Sequence, residues 1–92
     1  MRVSSRNIAY HELIGLEVRI LQYPDPSLVG LKGRVVDETL KTLVIETLSG
    51  RRVRIFKFNS VLEFMLPDGE AVVIKGSTII GRPWDRLKMV SR

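Results

Sequence analysis

Between residues 16 and 75 the chain changes character about every ten residues: a short run of alternating apolar and polar side chains, a cluster of turn formers, then another run. A two-residue period puts successive side chains on opposite faces, so each run is a half-buried strand rather than a helix. Links this short join antiparallel neighbours, because a parallel pair needs a crossover of a dozen or more residues. Leu16, Val18 and Ile20, set against Glu17, Arg19 and Leu21, begin the series. Residues 31–38 and 42–47 follow as a pair joined around Thr39-Leu40-Lys41, and Ser49-Gly50 turns into a fourth run over 51–57. Runs 61–66 and 70–75 flank Pro67-Asp68-Gly69, where Pro presets φ, Asp bonds its own backbone and Gly accepts a positive φ. Tyr23-Pro24-Asp25-Pro26-Ser27 cannot pair in a sheet and is a loop, and Gly33 inside its strand marks a bulge or sharp bend. The expected architecture is mainly β: a small, strongly bent, six-stranded antiparallel barrel whose closure removes exposed edges.

The ends read differently. Residues 1–6 are a polar, basic tail, Asn7 caps a short helix over Ile8–Ile14, and Gly15 stops it. After Gly81, Pro83 opens a second short helix, with Asp85 in its first turn and Arg86 and Lys88 further along, matching the helix dipole. The 92 residues support one core, giving an N-terminal tail and helix over 1–15, a barrel over 16–80 and a C-terminal helix and tail over 81–92. No apolar run approaches the roughly 18 residues of a membrane span. The basic start of the chain is not followed by an apolar leader, so a cytoplasmic, unprocessed protein with no membrane partner is expected.

The inventory of reactive groups argues against an autonomous enzyme. His11 is the only histidine and cysteine is absent, which leaves no Cys/His pair, no thiolate zinc site and no two-histidine metal site. Asp37 and Glu38 are adjacent, and neighbours on a strand point to opposite sides, so they read as polar residues at a strand end. Gly30 and Gly33 lack the Gly-Lys-Ser/Thr ending of a phosphate loop. No catalytic residue, metal ligand or bound cofactor is expected of this chain.

The basic residues carry more information. Fifteen Lys and Arg face ten Asp and Glu, for a net charge of +5 and a pI near 10.1, which favours polyanions. Alternation sets Arg52 and Arg54 on one face opposite Val53 and Ile55, with Arg51 and Lys57 at the ends of that strand. Lys32 and Arg34 make a second stripe, and Arg82 and Arg86, four apart, a third on the C-terminal helix beside Lys88. Guanidinium groups fork onto phosphate oxygens, and Phe56, on the Arg52/Arg54 face, is placed to stack on an unpaired base. Phe64 reads as core, and Trp84 as the residue that packs its helix on the barrel.

Four blocks, in order, carry a resemblance: Glu12-Leu13-Ile14-Gly15-Leu16, the run Val29 to Thr39 (VGLKGRVVDET), Leu66-Pro67-Asp68-Gly69-Glu70, and the run Gly81 to Lys88 (GRPWDRLK). From about residue 10 to residue 88 the chain resembles the family of archaeal ribonuclease P protein component 1. The resemblance implies an Sm-like barrel that binds ribonuclease P RNA and helps that RNA remove the 5′ leader of precursor tRNA. It also implies that catalysis and Mg2+ belong to the RNA, and that a zinc-ribbon protein subunit docks at the N-terminal helical region, here through Ile8, Tyr10 and Leu13. Two departures stand out: Ile55-Phe56-Lys57-Phe58 is more aromatic than the family's proline- and lysine-rich stretch, and Trp84 replaces a smaller or acidic residue. The competing reading is an Sm-like adaptor that binds mainly protein in another ribonucleoprotein; partners that survive nuclease treatment would favour it.

Overall fold

A computed structural model describes residues 3–88, without the side chains of Tyr10, Leu87 and Lys88. Among the described residues, six strands form one antiparallel sheet: β1 Glu17–Gln22, β2 Lys32–Glu38, β3 Thr42–Glu46, β4 Arg52–Phe56, β5 Val61–Met65 and β6 Ala71–Lys75. Each lies within a residue or two of its expected place. The order across the sheet is β4-β3-β2-β1-β5-β6, so β1–β4 form a meander and β5 returns to pair with β1.

That order forces the sheet to bend. In a flat sheet β4 and β5 would lie four strand spacings apart, roughly 19 Å. The five steps from Phe56 to Val61 reach at most about 18 Å when fully extended, and the Ser60 N–H donates to Lys57 O at 3.3 Å, so this link is a tight turn instead. Bulges between Ile20 and Gln22 in β1 and between Val35 and Asp37 in β2 supply curvature. Gly33 contributes by close approach: a Cβ there would overlap the backbone of Glu46 and the side chain of Ile45. The bulge itself falls at Val36.

The inward faces of the strands meet in one core containing Val18, Ile20, Val35, Leu43, Ile45, Ile55, Leu62, Phe64 and Ile74. The expected closure does not occur. β4 and β6 remain the two edges of an unclosed sheet, each five residues long and carrying outward cations such as Arg52, Arg54 and Lys75, which discourage edge-to-edge pairing. Near the end of β4, the Phe56 N–H donates to the Tyr23 hydroxyl at 2.9 Å, tying the free edge to the β1–β2 loop.

The N-terminal expectation needs correcting. Instead of a helix over Ile8–Ile14, one 3-10 turn spans Ile8–Tyr10. Asn7 makes no cap bond; its side-chain oxygen accepts from the Ser4 N–H at 2.7 Å. The chain turns extended at His11 and delivers Leu13 into the core, where Val3, Ile8 and Leu13 are buried. A short helix, α1, does form over Pro83–Lys88, and Asp85 accepts from the Arg82 N–H at 3.1 Å, which makes Arg82 its capping residue.

Candidate nucleic-acid interface

Because strand pairing aligns side chains across a sheet, the register assembles the outward face in rows. One row runs Met65, Glu17, Arg34, Glu46, Arg52 across five strands. Its charges alternate, and they pair: Arg34 Nη2 lies 3.5 Å from Glu17 Oε1, and Arg52 Nε lies 2.8 Å from Glu46 Oε2. Arg34 also donates to Gly15 O at 2.7 Å. A second row places Lys32 beside Arg19, which pairs with Glu63 at 3.0 Å. The two arginine stripes expected on β2 and β4 therefore share one face but are interleaved with carboxylates.

Lys32, Arg51 and Arg54 are exposed and form no ion pair among the described residues; Arg54 donates to the Thr42 hydroxyl at 3.0 Å. Lys32 and Arg54 are the uncompensated cations of the face, and Arg51 stands just before β4. Pairs such as Arg34–Glu17 and Arg52–Glu46 are exposed, and such pairs are worth about 0–1 kcal/mol, so a phosphate can displace either carboxylate at small cost. Beside β2 and β3 the face hollows into an open groove of about 650 Å³ lined by Lys32, Gly33, Arg34, Glu46 and Thr47 among others.

Lys57 and Arg86 do not belong to this face. Both are buried, and they converge on Glu38, whose side chain is fully buried as well. Lys57 Nζ lies 2.7 Å from Glu38 Oε2 and donates to Thr39 O at 2.9 Å and Gly81 O at 2.7 Å. Arg86 bonds both Glu38 oxygens, and it donates to Gly81 O at 2.6 Å and His11 O at 2.7 Å. Burial holds the Lys57 pKa below the ordinary lysine value of 10.5; the bond to Glu38 and its charge oppose this, while Arg86 and Arg82 add to it. The cluster ties the N-terminal segment, the β2–β3 turn, the end of β4 and α1 into one unit. Apart from Arg86 Nε, its buried side-chain polar atoms are bonded within the protein, and RNA cannot reach them.

Other expected site residues also move. Ile8 and Leu13 are core, so neither offers a surface to a partner protein. The side chains of Tyr10 and Lys88 lie outside the described residues. Trp84 does not pack its helix on the barrel: it is 59% exposed, with the Arg82 guanidinium 5.8 Å from its ring centre. Arg82 remains exposed, and the Gly81 N–H donates to Leu40 O at 2.7 Å, so Arg82 adjoins the turn that carries the exposed Lys41. Lys41 and Arg19 are two cations the sequence reading passed over. Their signal was available: Arg19 alternates outward against Val18 and Ile20, and Lys41 sits in a turn.

The family model described as ribonuclease P/MRP, subunit p29, matches residues 6–89. A Ribonuclease P protein component 1 from Desulfurococcus amylolyticus is 96% identical over 92 residues, covering all of both chains. Another from Staphylothermus marinus is 63% identical, again over all of both chains. A third, from Methanocaldococcus jannaschii, is 48% identical over 94% of this chain and 90% of its own. The solved structure of a homologue of a human RNase P protein matches with a TM-score of 0.61 at 46% identity, covering 83% of this chain and 97% of that one. The matched residues include every strand that builds the outward face.

Proposed function

The chain belongs to the ribonuclease P/MRP subunit p29 family and is a protein component of ribonuclease P, and from this we propose that it binds the enzyme's RNA through the outward face of β2–β4. On this reading Lys32, Arg51 and Arg54, joined by Arg34, Arg52 and Arg82, neutralise RNA phosphates. The chain supports the catalytic RNA in removing the 5′ leader of precursor tRNA in the cytoplasm, and Mg2+ is held by the RNA.

The observation that carries the reading is the register itself: it gathers uncompensated cations from separate strands onto one surface while Lys57 and Arg86 turn inward. Alternating carboxylates do not defeat such a surface. Each exposed pair exchanges its carboxylate for a phosphate at a cost of about 0–1 kcal/mol. We further propose that a zinc-ribbon subunit docks near the N-terminal segment, with the exposed Ile14 and Met65 in the role first expected of Ile8 and Leu13.

Chemical footprinting of ribonuclease P RNA tests the RNA-binding reading. The protein should protect a discrete set of riboses, and the double variant Lys32→Gln, Arg54→Gln should lose that protection while melting like the wild type. Unchanged protection with the double variant would move the interface off this face.

A further inference from the structure

A second feature lies beside the basic face and is not explained by phosphate neutralisation. Phe56 and Phe58 are 59% and 63% exposed, although large aromatic rings ordinarily seek cover. They line a mainly apolar cleft of about 360 Å³ with Tyr23, Pro24, Asp25 and Asn59. The cleft is built rather than incidental. The Tyr23 hydroxyl accepts from the Phe56 N–H at 2.9 Å, the Ser60 hydroxyl donates to Lys57 O at 2.6 Å, and Asn59 holds a left-handed φ of 63° in the turn between. The turn carrying both phenylalanines is thereby tied to the segment carrying Tyr23 and Pro24 around one opening.

Resting on the RNA-binding reading above, we propose that this cleft seats an unpaired RNA base, guanine above all, with Arg54 on the adjoining phosphate. Arg54 and Phe56 are two residues apart on the same outward face of β4, about 6.6 Å along the strand. A ring and a cation at that separation match the stacked base and flanking phosphate of one nucleotide, the pairing typical of single-strand recognition. An apolar peptide would fill the rings equally well but would not use the cation. Asp25 supplies the selectivity. Its Oδ1 accepts from the Ser27 hydroxyl at 2.7 Å and the Ser27 N–H at 3.0 Å, which fixes the carboxylate's orientation. Those bonds, the hydroxyl first, hold its pKa below the usual value, so it is an acceptor at neutral pH. Among the bases, guanine presents two adjacent N–H donors on its pairing edge to such an acceptor.

The test uses the full chain and three short single-stranded RNAs, UUGUUU, UUAUUU and UUUUUU, titrated over a range of salt. UUGUUU should bind most tightly. The double variant Phe56→Leu, Phe58→Leu keeps apolar bulk and loses the stacking faces. It should weaken UUGUUU binding by roughly tenfold, within the 5- to 150-fold range of a lost stacked base, and leave the salt slope unchanged. Arg54→Gln should lower that slope by about 0.7, and Asp25→Asn should bring UUGUUU and UUAUUU together. Full affinity in the double leucine variant, with the Arg54→Gln effect intact, would overturn the cleft and leave the electrostatic face standing. Failure of both variants to alter binding would sink the RNA-binding reading as well. Equal affinity of the wild type for UUGUUU and UUAUUU would overturn the guanine assignment, and loss of a protein partner instead of RNA would assign the cleft to protein.

Discussion

Glu38→Gln is the substitution that most sharply probes how the ends of the chain are held. Glu38 is the single carboxylate facing Lys57 and Arg86 among the described residues, with all three side chains at most 2% exposed. Gln keeps the shape, removes the charge and turns an amide donor toward two cationic donors. Breaking a buried pair by removing one partner costs about 3–5 kcal/mol, because the remaining charge is left uncompensated. Each kcal/mol lowers Tm by about 4–8 °C in a domain of this size, so a loss near 4 kcal/mol implies a drop of about 16–32 °C. Lys57→Met should cost less, since it leaves the Glu38–Arg86 pair intact and exposes no unpaired charge. The effect of pH follows from the depressed Lys57 pKa. In the window between its folded value and 10.5 the unfolded chain holds the extra proton, so this group's contribution rises with pH and is lost as pH falls through the folded value. In Glu38→Gln both influences that raise the Lys57 pKa are gone and the window widens downward. The variant's deficit should therefore shrink as pH is raised from neutrality toward 10.5. Chemical denaturation of both variants across that range is the assay. A Glu38→Gln loss below about 1 kcal/mol, or a larger loss in Lys57→Met, would refute the reasoning.

Three further outcomes are expected. Gly76→Ala should cost at least the upper end of the usual overpacking range, about 3 kcal/mol, because a Cβ there overlaps the Lys57 carbonyl and the Ser60 hydroxyl and backbone must move; thermal melting measures it. Tyr23→Phe removes the acceptor of the Phe56 N–H and should cost about 1 kcal/mol, with faster hydrogen exchange at Phe56 and little change at the β3–β4 ladder. Trp84→Ala should lose no more than about 1 kcal/mol in denaturant, since the ring is exposed and its noted partner is the Arg82 cation.

Strands and turns were legible because their causes are local: alternation names the faces, and Pro67-Asp68-Gly69 and Ser49-Gly50 name the hairpins. The buried cluster was not, for two different reasons. Lys57 carried its own signal, since Val53, Ile55 and Lys57 share parity along β4, and a lysine following two core residues on one face points inward. Glu38 carried none. Unbroken alternation from Val35 would turn Asp37 inward and Glu38 outward, but the bulge at Val36 shifts the parity and pairs Glu38 with the buried Leu43. Arg86 was set on the same helix face as Arg82, yet Arg82 is the cap and α1 begins at Pro83, so the four-residue spacing does not apply. The family resemblance implies docking through Ile8, Tyr10 and Leu13, but the chain makes one turn and then extends, which carries Ile8 and Leu13 into the core. The basic face was half legible: strand parity found Lys32, Arg34, Arg52 and Arg54, but only the register revealed the carboxylates set between them.

The central claim is that ribonuclease P RNA is held by exposed cations on the outward face. Equilibrium binding to that RNA across a salt series tests it most directly. Counting Lys32, Arg51, Arg54 and Arg82, four of the exposed cations that form no ion pair among the described residues, log affinity should fall against log salt with a slope of about −3 to −4. Lys32→Gln combined with Arg54→Gln should reduce that slope by about 1.5–2 without lowering Tm appreciably. A salt-independent affinity, or a slope unchanged in the double variant, would contradict the account.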